Sequence, residues 1–302
     1  MDGERRFSTI GGWLCFGLSV AFVLGAAVLV RGAPTDVPGL EVATAEDVVD
    51  SVLDLSFPLV GALVLSRWPG NLFGWAFCLV GLCFEASIFA GAYSTYATFT
   101  HPGSLPAAQS LSLASDVLFV PTFVLYLTFV PLLFPTGRPP TQRWWIVGAG
   151  AALAILLAAT SMAIRPGPVD EDVPSAGPNP LGIAGAGGVS DALELAGGVL
   201  LITATLGAFA SVVVRTRRSR GQERRQLKIF FAGVAIVVAV FLLPTDMLGL
   251  DGAAAQIALA VIALSALPAT VAFALFAGTE RNSAWRNDLP DPETALGVAQ
   301  SR

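Results

Sequence analysis

The sequence has 302 residues, of which 54% are hydrophobic and only 13% are charged, with a formal net charge of −5 and a mean hydropathy of +0.71. A soluble domain carries about 25% charged residues because its surface must be hydrated. The composition therefore excludes a soluble enzyme, a disordered chain and a secreted disulfide scaffold. It predicts an integral membrane protein of the all-α class.

The apolar stretches predict a polytopic bundle of about eight membrane-spanning helices. Each span needs about 20 apolar residues, and the candidate spans lie near 11–30, 48–66, 72–98, 106–134, 144–164, 190–214, 229–248 and 253–277. The first stretch follows Arg5 and Arg6, but its apolar core is too long for a signal peptide, so we expect it to be retained as a span. Residues 1–277 then form one transmembrane domain, and residues 278–302 form a short tail that we expect to be disordered.

The basic residues predict the orientation of these spans. If both termini are cytoplasmic, the inner segments hold all of the 17 Lys and Arg residues except Arg31 and Arg165. This distribution satisfies the positive-inside rule. We therefore expect a multi-pass protein of the cell (cytoplasmic) membrane.

Proline and small residues predict local features of the helices. Four prolines lie within predicted spans and are expected to kink or interrupt them: Pro58, Pro121, Pro131 and Pro268. Gly17, Ala21 and Gly25 recur every four residues in the first span and are candidates for close helix packing. The general abundance of Gly and Ala is a simpler explanation of that spacing.

The sequence lacks the residues that most enzymes need. The single histidine, His101, has no Cys, Asp or Glu near it, and no phosphate-binding loop, nucleophile elbow or dinucleotide fingerprint occurs. Cys15, Cys78 and Cys83 fall within apolar runs and are expected to be reduced packing residues. We expect no enzyme activity, no catalytic residue, no metal site and no cofactor.

The segment between the sixth and seventh predicted spans is strongly basic. Its cationic residues are Arg215, Arg217, Arg218, Arg220, Arg224, Arg225 and Lys228. One interpretation is contact with anionic lipid, where each charge contributes about 1 kcal/mol. A second interpretation is a docking surface for a cytoplasmic partner. Nucleic-acid binding is not expected, because no aromatic residues are interleaved for base stacking.

Three acidic residues are predicted at a similar depth in the outer half of the membrane. Asp54, Glu85 and Asp116 lie roughly 12 to 17 Å inward from the outer ends of their spans, and Asp50 lies one turn before Asp54. Ionised carboxylates facing lipid cost several kcal/mol, so such groups face the bundle interior, pair, or line a wet cavity. They are either protonated structural residues, hydrogen-bonded to neighbours such as Ser87, Ser94 or Thr122, or a ligand-binding cavity open to the outside with Asp50 at its mouth.

Four short motifs carry a resemblance to a known family. Residues 66–75 match S-R-x-P-x-N-x-x-G-W, residues 133–140 match L-F-P-x-G-R-x-P, residues 179–182 read N-P-L-G, and residues 217–228 match R-R-x-R-G-x-E-R-x-Q-L-K. In this order and spacing they resemble the membrane region of a group of actinobacterial sensor histidine kinases. The motifs also have a purely structural interpretation, as tight turns in which Asn71 caps the following helix.

The resemblance implies that residues 1–277 form a sensor-like domain without the kinase domains. No histidine follows Ala277 in the sequence, so we do not expect autokinase activity. A non-catalytic sensor would pass its output to a separate partner, such as a kinase or response regulator. The alternative is a small transporter or channel that uses the acidic residues to pass a cation or a cationic solute.

Overall fold

The computed structural model describes residues 2–34, 36–40, 45–241 and 253–276. It is 78% helical and contains no strand within these residues, which confirms the predicted all-α class. The predicted tail 278–302 lies outside the described residues, as does the end of the seventh predicted span.

Within the described residues, five helices are long and apolar enough to cross a membrane: Gly3–Leu29, Leu72–Thr100, Ala108–Leu133, Gln142–Ile164 and Gly187–Arg218. Their length and composition are consistent with the predicted membrane protein. The α-helices of the described residues are α1 (Asp2–Leu29), α2 (Ala45–Asp54), α3 (Ser56–Arg67), α4 (Leu72–Thr95), α5 (Ala108–Val124), α6 (Val130–Leu133), α7 (Trp145–Ile164), α8 (Gly187–Arg218), α9 (Gly221–Phe241) and α10 (Ala253–Phe276).

The second predicted span is not one helix. It is divided at Leu55 into α2 and α3, which have 10 and 12 residues. Pro58 explains the break, because it has no N–H to donate to the carbonyl of Asp54 four residues earlier and its ring clashes with that carbonyl. The predicted interruption at Pro58 is therefore confirmed, and each of the two pieces is shorter than a complete span.

A second irregularity joins α5 to α6. Residues Leu125–Phe129 form a π-turn, and Pro131 follows it in the first turn of α6. A π-turn widens the backbone where the regular hydrogen-bond ladder is interrupted, and such turns are frequent at functional sites. Pro121 lies inside α5 without ending it.

The helix α4 has a central position in the bundle. It packs against α1, α3 and α5, while α5 also contacts α7, α7 pairs with α8, and α9 pairs with α10. The main core contains four fully buried aromatic rings, those of Phe73, Phe77, Phe134 and Phe230. Because α10 also contacts α2 and α3, the last two helices close onto the first half of the chain.

Small residues allow close helix contacts, but only one of those predicted in the first span does so. Gly17 and Ala21 are exposed, and nothing lies within 4 Å of the position that a Cβ on Gly17 would take. Gly25, the third member of the set, does pack closely, because a Cβ there would collide with the ring of Phe89 on α4. The prediction therefore holds for Gly25 and is wrong for Gly17 and Ala21. The buried face of α1 instead contains Gly12, Ser19 and Ala26, which repeat every seven residues and so stay on one side of the helix.

Two pairs of serines fix the register of neighbouring helices. Ser87 Oγ on α4 donates to the carbonyl of Ser115 on α5 at 2.8 Å, and Ser115 Oγ donates to the carbonyl of Ser87 at 2.9 Å. The same reciprocal arrangement joins Ser161 on α7 to Ser190 on α8, at 2.9 and 3.1 Å. In an apolar environment such bonds are favoured because the alternative is an unpaired polar group.

The predicted basic loop is mostly helical. Helix α8 continues to Arg218 and α9 begins at Gly221, so Ser219 and Arg220 are the only connecting residues. The predicted loop 215–228 is therefore reduced to these two residues. Its cationic residues are instead carried on two helix ends, which hold them at defined positions.

Candidate functional site

Asp54 and Glu85 form a buried acidic pair at the break between α2 and α3. Asp54 is the last residue of α2 and is 6% exposed, and Glu85 in the middle of α4 is fully buried. The two carboxyl groups are near enough for the charge of Asp54 to act on Glu85. Both carboxyl oxygens of Glu85 are buried without a hydrogen-bond partner.

Close contact between α3 and α4 positions this acidic pair. A Cβ on Gly81 would collide with the ring of Pro58, so only glycine allows the proline to sit so near α4 at this level. The thiol of Cys78 donates to the carbonyl of Pro58 at 3.8 Å. The proline that breaks the second span is thus held one turn of α4 before Glu85, and it fixes where α2 ends relative to that side chain.

Two further groups lie beside the acidic pair. Asp50 is half-buried one turn before Asp54 on α2, and its charge acts on Asp54. Tyr126 in the π-turn is also near enough for Asp54 to act on it. Tyr126 was not among the predicted site residues; it lies in the π-turn at Leu125–Phe129.

The structure does not bring Asp116 into this group. Its side chain is exposed on α5, and the acidic residue whose charge acts on it is Asp170, in the segment between α7 and α8. The serine pair explains this orientation, because Ser115 faces α4 and the next residue projects about 100° away from it around the helix. Equal depth along two helices therefore did not imply a common site.

At the opposite end of the bundle, Arg215 clamps the turn that follows α6. The side chain is 7% exposed and its guanidinium group donates to the carbonyls of Phe134 and Arg138. It also donates to the hydroxyl of Thr136 at 3.5 Å. Arg215 was predicted as part of a lipid or partner surface, whereas the structure places it inside the protein, where it satisfies carbonyl groups of the turn.

The first two motifs pack directly on each other at this end. Asn71 is the N-cap of α4 and accepts a hydrogen bond from the N–H of Phe73 at 2.9 Å, as predicted. Gly137 of the second motif lies so close to Asn71 that a Cβ would collide with its side-chain oxygen. Helix α1 joins them, since Ser8 accepts a hydrogen bond from the N–H of Gly70 at 3.1 Å.

The third and fourth motifs also have structural contacts. The amide of Asn179 donates to the carbonyls of Met162 and Arg165 at 2.9 and 2.8 Å, which caps the end of α7. In the fourth motif, Gln226 donates to the carbonyl of Ala274 on α10 at 3.1 Å, and Leu227 is fully buried. These contacts favour the structural interpretation of the motifs.

Six of the seven predicted cationic residues remain on the surface. They form what we call the basic surface, at the junction of α8 and α9, and all are exposed: Arg217, Arg218, Arg220, Arg224, Arg225 and Lys228. The ion pairs found in the described part of the chain belong instead to Arg165, which contacts Glu171 in the segment between α7 and α8 and Glu194 on α8. The basic surface therefore presents a net positive charge to its surroundings.

A continuous chain of aromatic rings connects the acidic pair to the basic surface. Tyr126 contacts Phe57, just after the helix break, with ring centroids 5.7 Å apart, and Phe57 contacts Phe77 at 5.3 Å. The contacts continue through Phe73 to Phe134, at 4.7 and 5.3 Å. Phe134 finally stacks on Phe230 of α9 at 4.6 Å, two residues after Lys228.

The residues that the structure describes contain no group of three His, Cys, Asp or Glu side chains arranged to hold a metal ion. The sequence matches no family model, and it matches neither the curated proteins nor the solved structures with which it was compared.

Proposed function

We propose that this chain is a non-catalytic membrane sensor or signalling module of the cell membrane, with both termini in the cytoplasm. Its output would pass through a separate cytoplasmic or membrane partner, such as a kinase or response regulator. The observation that carries this proposal is the chain of aromatic contacts from Tyr126, beside the acidic pair, to Phe230, beside the basic surface.

The physical argument concerns how a local change is transmitted. Closely packed side chains have discrete arrangements and do not deform continuously, so a shift at one end of a packed row displaces its neighbours. The acidic pair lies where α2 and α3 are interrupted, and fewer backbone hydrogen bonds resist movement at such a break. The basic surface is attractive to an acidic partner protein, because its charges lack internal ion pairs within the described residues.

The alternative is a small transporter or channel for a cation or a cationic solute, and the buried acidic pair is the observation that favours it. A transport path must continue to the other end of the bundle. There the core is filled by the apolar rings of Phe73, Phe134 and Phe230. This packing supports a sensor over a transporter.

The partner can be tested by crosslinking in cells. A photoreactive residue at position 224, on the basic surface, is compared with one at Ile146, which is 77% exposed on α7 and carries no charge. We expect position 224 to crosslink to a histidine kinase or response regulator, identified by mass spectrometry, and position 146 to give no such product. Replacing Arg217, Arg218 and Arg220 with Glu should abolish the crosslink.

A different result would favour transport. If the purified protein in liposomes conducts a cation, and Asp54→Asn abolishes that flux, the sensor proposal is wrong. Gly17→Ala is the matched control for this assay, because Gly17 is exposed and nothing lies within 4 Å of the position that the added Cβ would take.

A further inference from the structure

The geometry points to Glu85 as a proton-binding site. The ion that the acidic pair binds and releases is a proton, which Glu85 carries and which the charge of Asp54 influences. This inference rests on the proposed function, because it names the stimulus of the proposed sensor. It depends on the burial of Glu85, on the partners of its carboxyl oxygens, and on the groups that surround it.

The first step is the burial of Glu85. Its side chain is fully buried and neither carboxyl oxygen has a hydrogen-bond donor. An ionised carboxylate in such a position loses its hydration without receiving any compensation, which is far more costly than burial of the neutral acid. In this conformation, therefore, Glu85 is stable only with a cation on one of its oxygens, and the smallest such cation is a proton.

The second step concerns the neighbours that could replace the proton. Arg5 and Arg6 lie in the first turns of α1, beside Glu4, which lies near Gly70 before the start of α4 and so far from Glu85. At the level of Glu85 the neighbouring titratable groups are Asp50 and Asp54 from α2, Tyr126 from the π-turn, and the thiols of Cys15, Cys78 and Cys83, while Asp116 on α5 is exposed and interacts with Asp170. None of these groups is basic. The nearest arginine of α3 is its last residue, Arg67, and the adjoining start of α4 at Leu72 lies about 20 Å along the helix axis from Glu85.

The third step distinguishes a proton from a metal ion. Calcium takes six to eight oxygen ligands, and magnesium requires an octahedral set. Within the described ranges no three acidic, histidine or cysteine side chains are gathered for a metal. A proton needs only one carboxyl oxygen, and the carboxyl group of Glu85 supplies it.

The consequence of proton release follows from the position of the pair. When Asp54 is ionised, deprotonation of Glu85 would leave two interacting negative charges close to the break, which must then open to admit water or a cation. Because Phe57 is the second residue after the break and is the start of the aromatic chain, opening of the break would shift the first ring of that chain. The proposed stimulus is therefore the acidity of the aqueous phase that has access to Asp50.

The test is infrared difference spectroscopy of the purified full-length chain in lipid nanodiscs, recorded between acidic and alkaline pH. We expect the carbonyl stretch of a buried, protonated carboxyl group to disappear on alkalinisation. In Glu85→Gln the component of this band that belongs to Glu85 should be missing, while the exposed carboxyl groups titrate as in the native chain. Asp54→Asn should retain the band and displace its titration midpoint, because the two charges interact. The control Asp116→Asn should change neither the band nor its midpoint.

Isotope labelling keeps the test independent of whether the variants fold. With ¹³C-labelled glutamate in the native chain, the band should shift in frequency if it belongs to a glutamate and stay in place if it belongs to an aspartate. Among the described residues Glu85 is the one buried glutamate, so the proposal is overturned if no band of a buried glutamate titrates, or if that band persists unchanged over the whole pH range. The crosslinking experiment tests the signalling function separately, since a partner can be identified at position 224 whether or not Glu85 titrates.

Discussion

At the scale of single residues, Arg215 contributes most clearly to stability. Its guanidinium group donates to two backbone carbonyls in the turn after α6 while its side chain is 7% exposed. We expect Arg215→Ala to lower the free energy of unfolding by roughly 2–4 kcal/mol, because it removes charged hydrogen bonds and leaves the carbonyls of Phe134 and Arg138 unsatisfied. Thermal unfolding in detergent measures this loss.

Two other substitutions show whether the geometry or the charge of Arg215 matters. Arg217→Ala removes an exposed arginine from the same helix and should change stability by no more than about 0.5 kcal/mol. Arg215→Lys keeps the charge, but an ammonium group does not reproduce the planar fork that reaches two carbonyls. A lysine variant as stable as the native protein would contradict the proposed clamp.

Gly137 gives a second prediction at this scale. Its φ angle of +75° lies in the left-handed region, and a Cβ would collide with Asn71. Gly221 has a φ angle of +58°, and nothing lies within 4 Å of the position that a Cβ would take. Replacing Gly221 therefore measures only the cost of the left-handed backbone conformation. We expect Gly221→Ala to cost about 1–2 kcal/mol and Gly137→Ala to cost more, as measured by unfolding temperature. Equal losses would mean that the contact with Asn71 does not matter.

At the scale of elements, the approach of α3 to α4 determines where the acidic pair lies. Gly81 is in contact with Pro58 across this interface, whereas Gly17 in α1 has open space around it. We expect Gly81→Ala to destabilise the bundle by about 1–3 kcal/mol, since the added methyl group forces the helices apart. Gly17→Ala should instead be neutral or stabilise by up to about 1 kcal/mol, because alanine is the better helix former.

Both variants can be compared by thermal unfolding in the same lipid. The infrared band assigned to Glu85 provides a second measurement, because separating α3 from α4 admits water to the acidic pair. A Gly81→Ala protein with native stability and a native band would show that this contact does not position the pair.

The four family-like motifs are also understood at the scale of elements. Asn71 caps a helix, Gly137 packs on that cap, Asn179 caps another helix and Gln226 joins α9 to α10. Each motif thus stabilises a helix end or a helix contact. The spacing of such residues is typical of an architecture, and by itself it does not imply an activity.

At the scale of the whole molecule, the prediction concerns orientation. The basic residues favour cytoplasmic termini, and in that case residues 102 and 175 lie outside while residue 301 lies inside. Reporter fusions at these three positions measure the orientation directly. An extracytoplasmic signal from a fusion at residue 301 would contradict the proposed topology, and it would place the basic surface on the wrong side for a cytoplasmic partner.

Composition and hydropathy by themselves determined the all-helical membrane class, and a proline placed an interruption in the second span. These features are local, because the hydrophobic length of a segment and the missing N–H of Pro58 act within a few residues of the chain. For the same reason Asn71 was recognisable as a cap before its contacts were known.

Only the tertiary structure decided which side chains meet. Asp116 and Glu85 were predicted at one depth, but rotation of α5, held by Ser87 and Ser115, directs Asp116 away from the acidic pair. In the sequence Arg215 is one of seven similar cationic residues. Only the folded chain brings it to the carbonyls of a turn about 80 residues earlier, where its side chain is buried. The rotation of a helix about its axis depends on contacts between residues far apart in the chain, and apolar composition in a membrane carries little information about it.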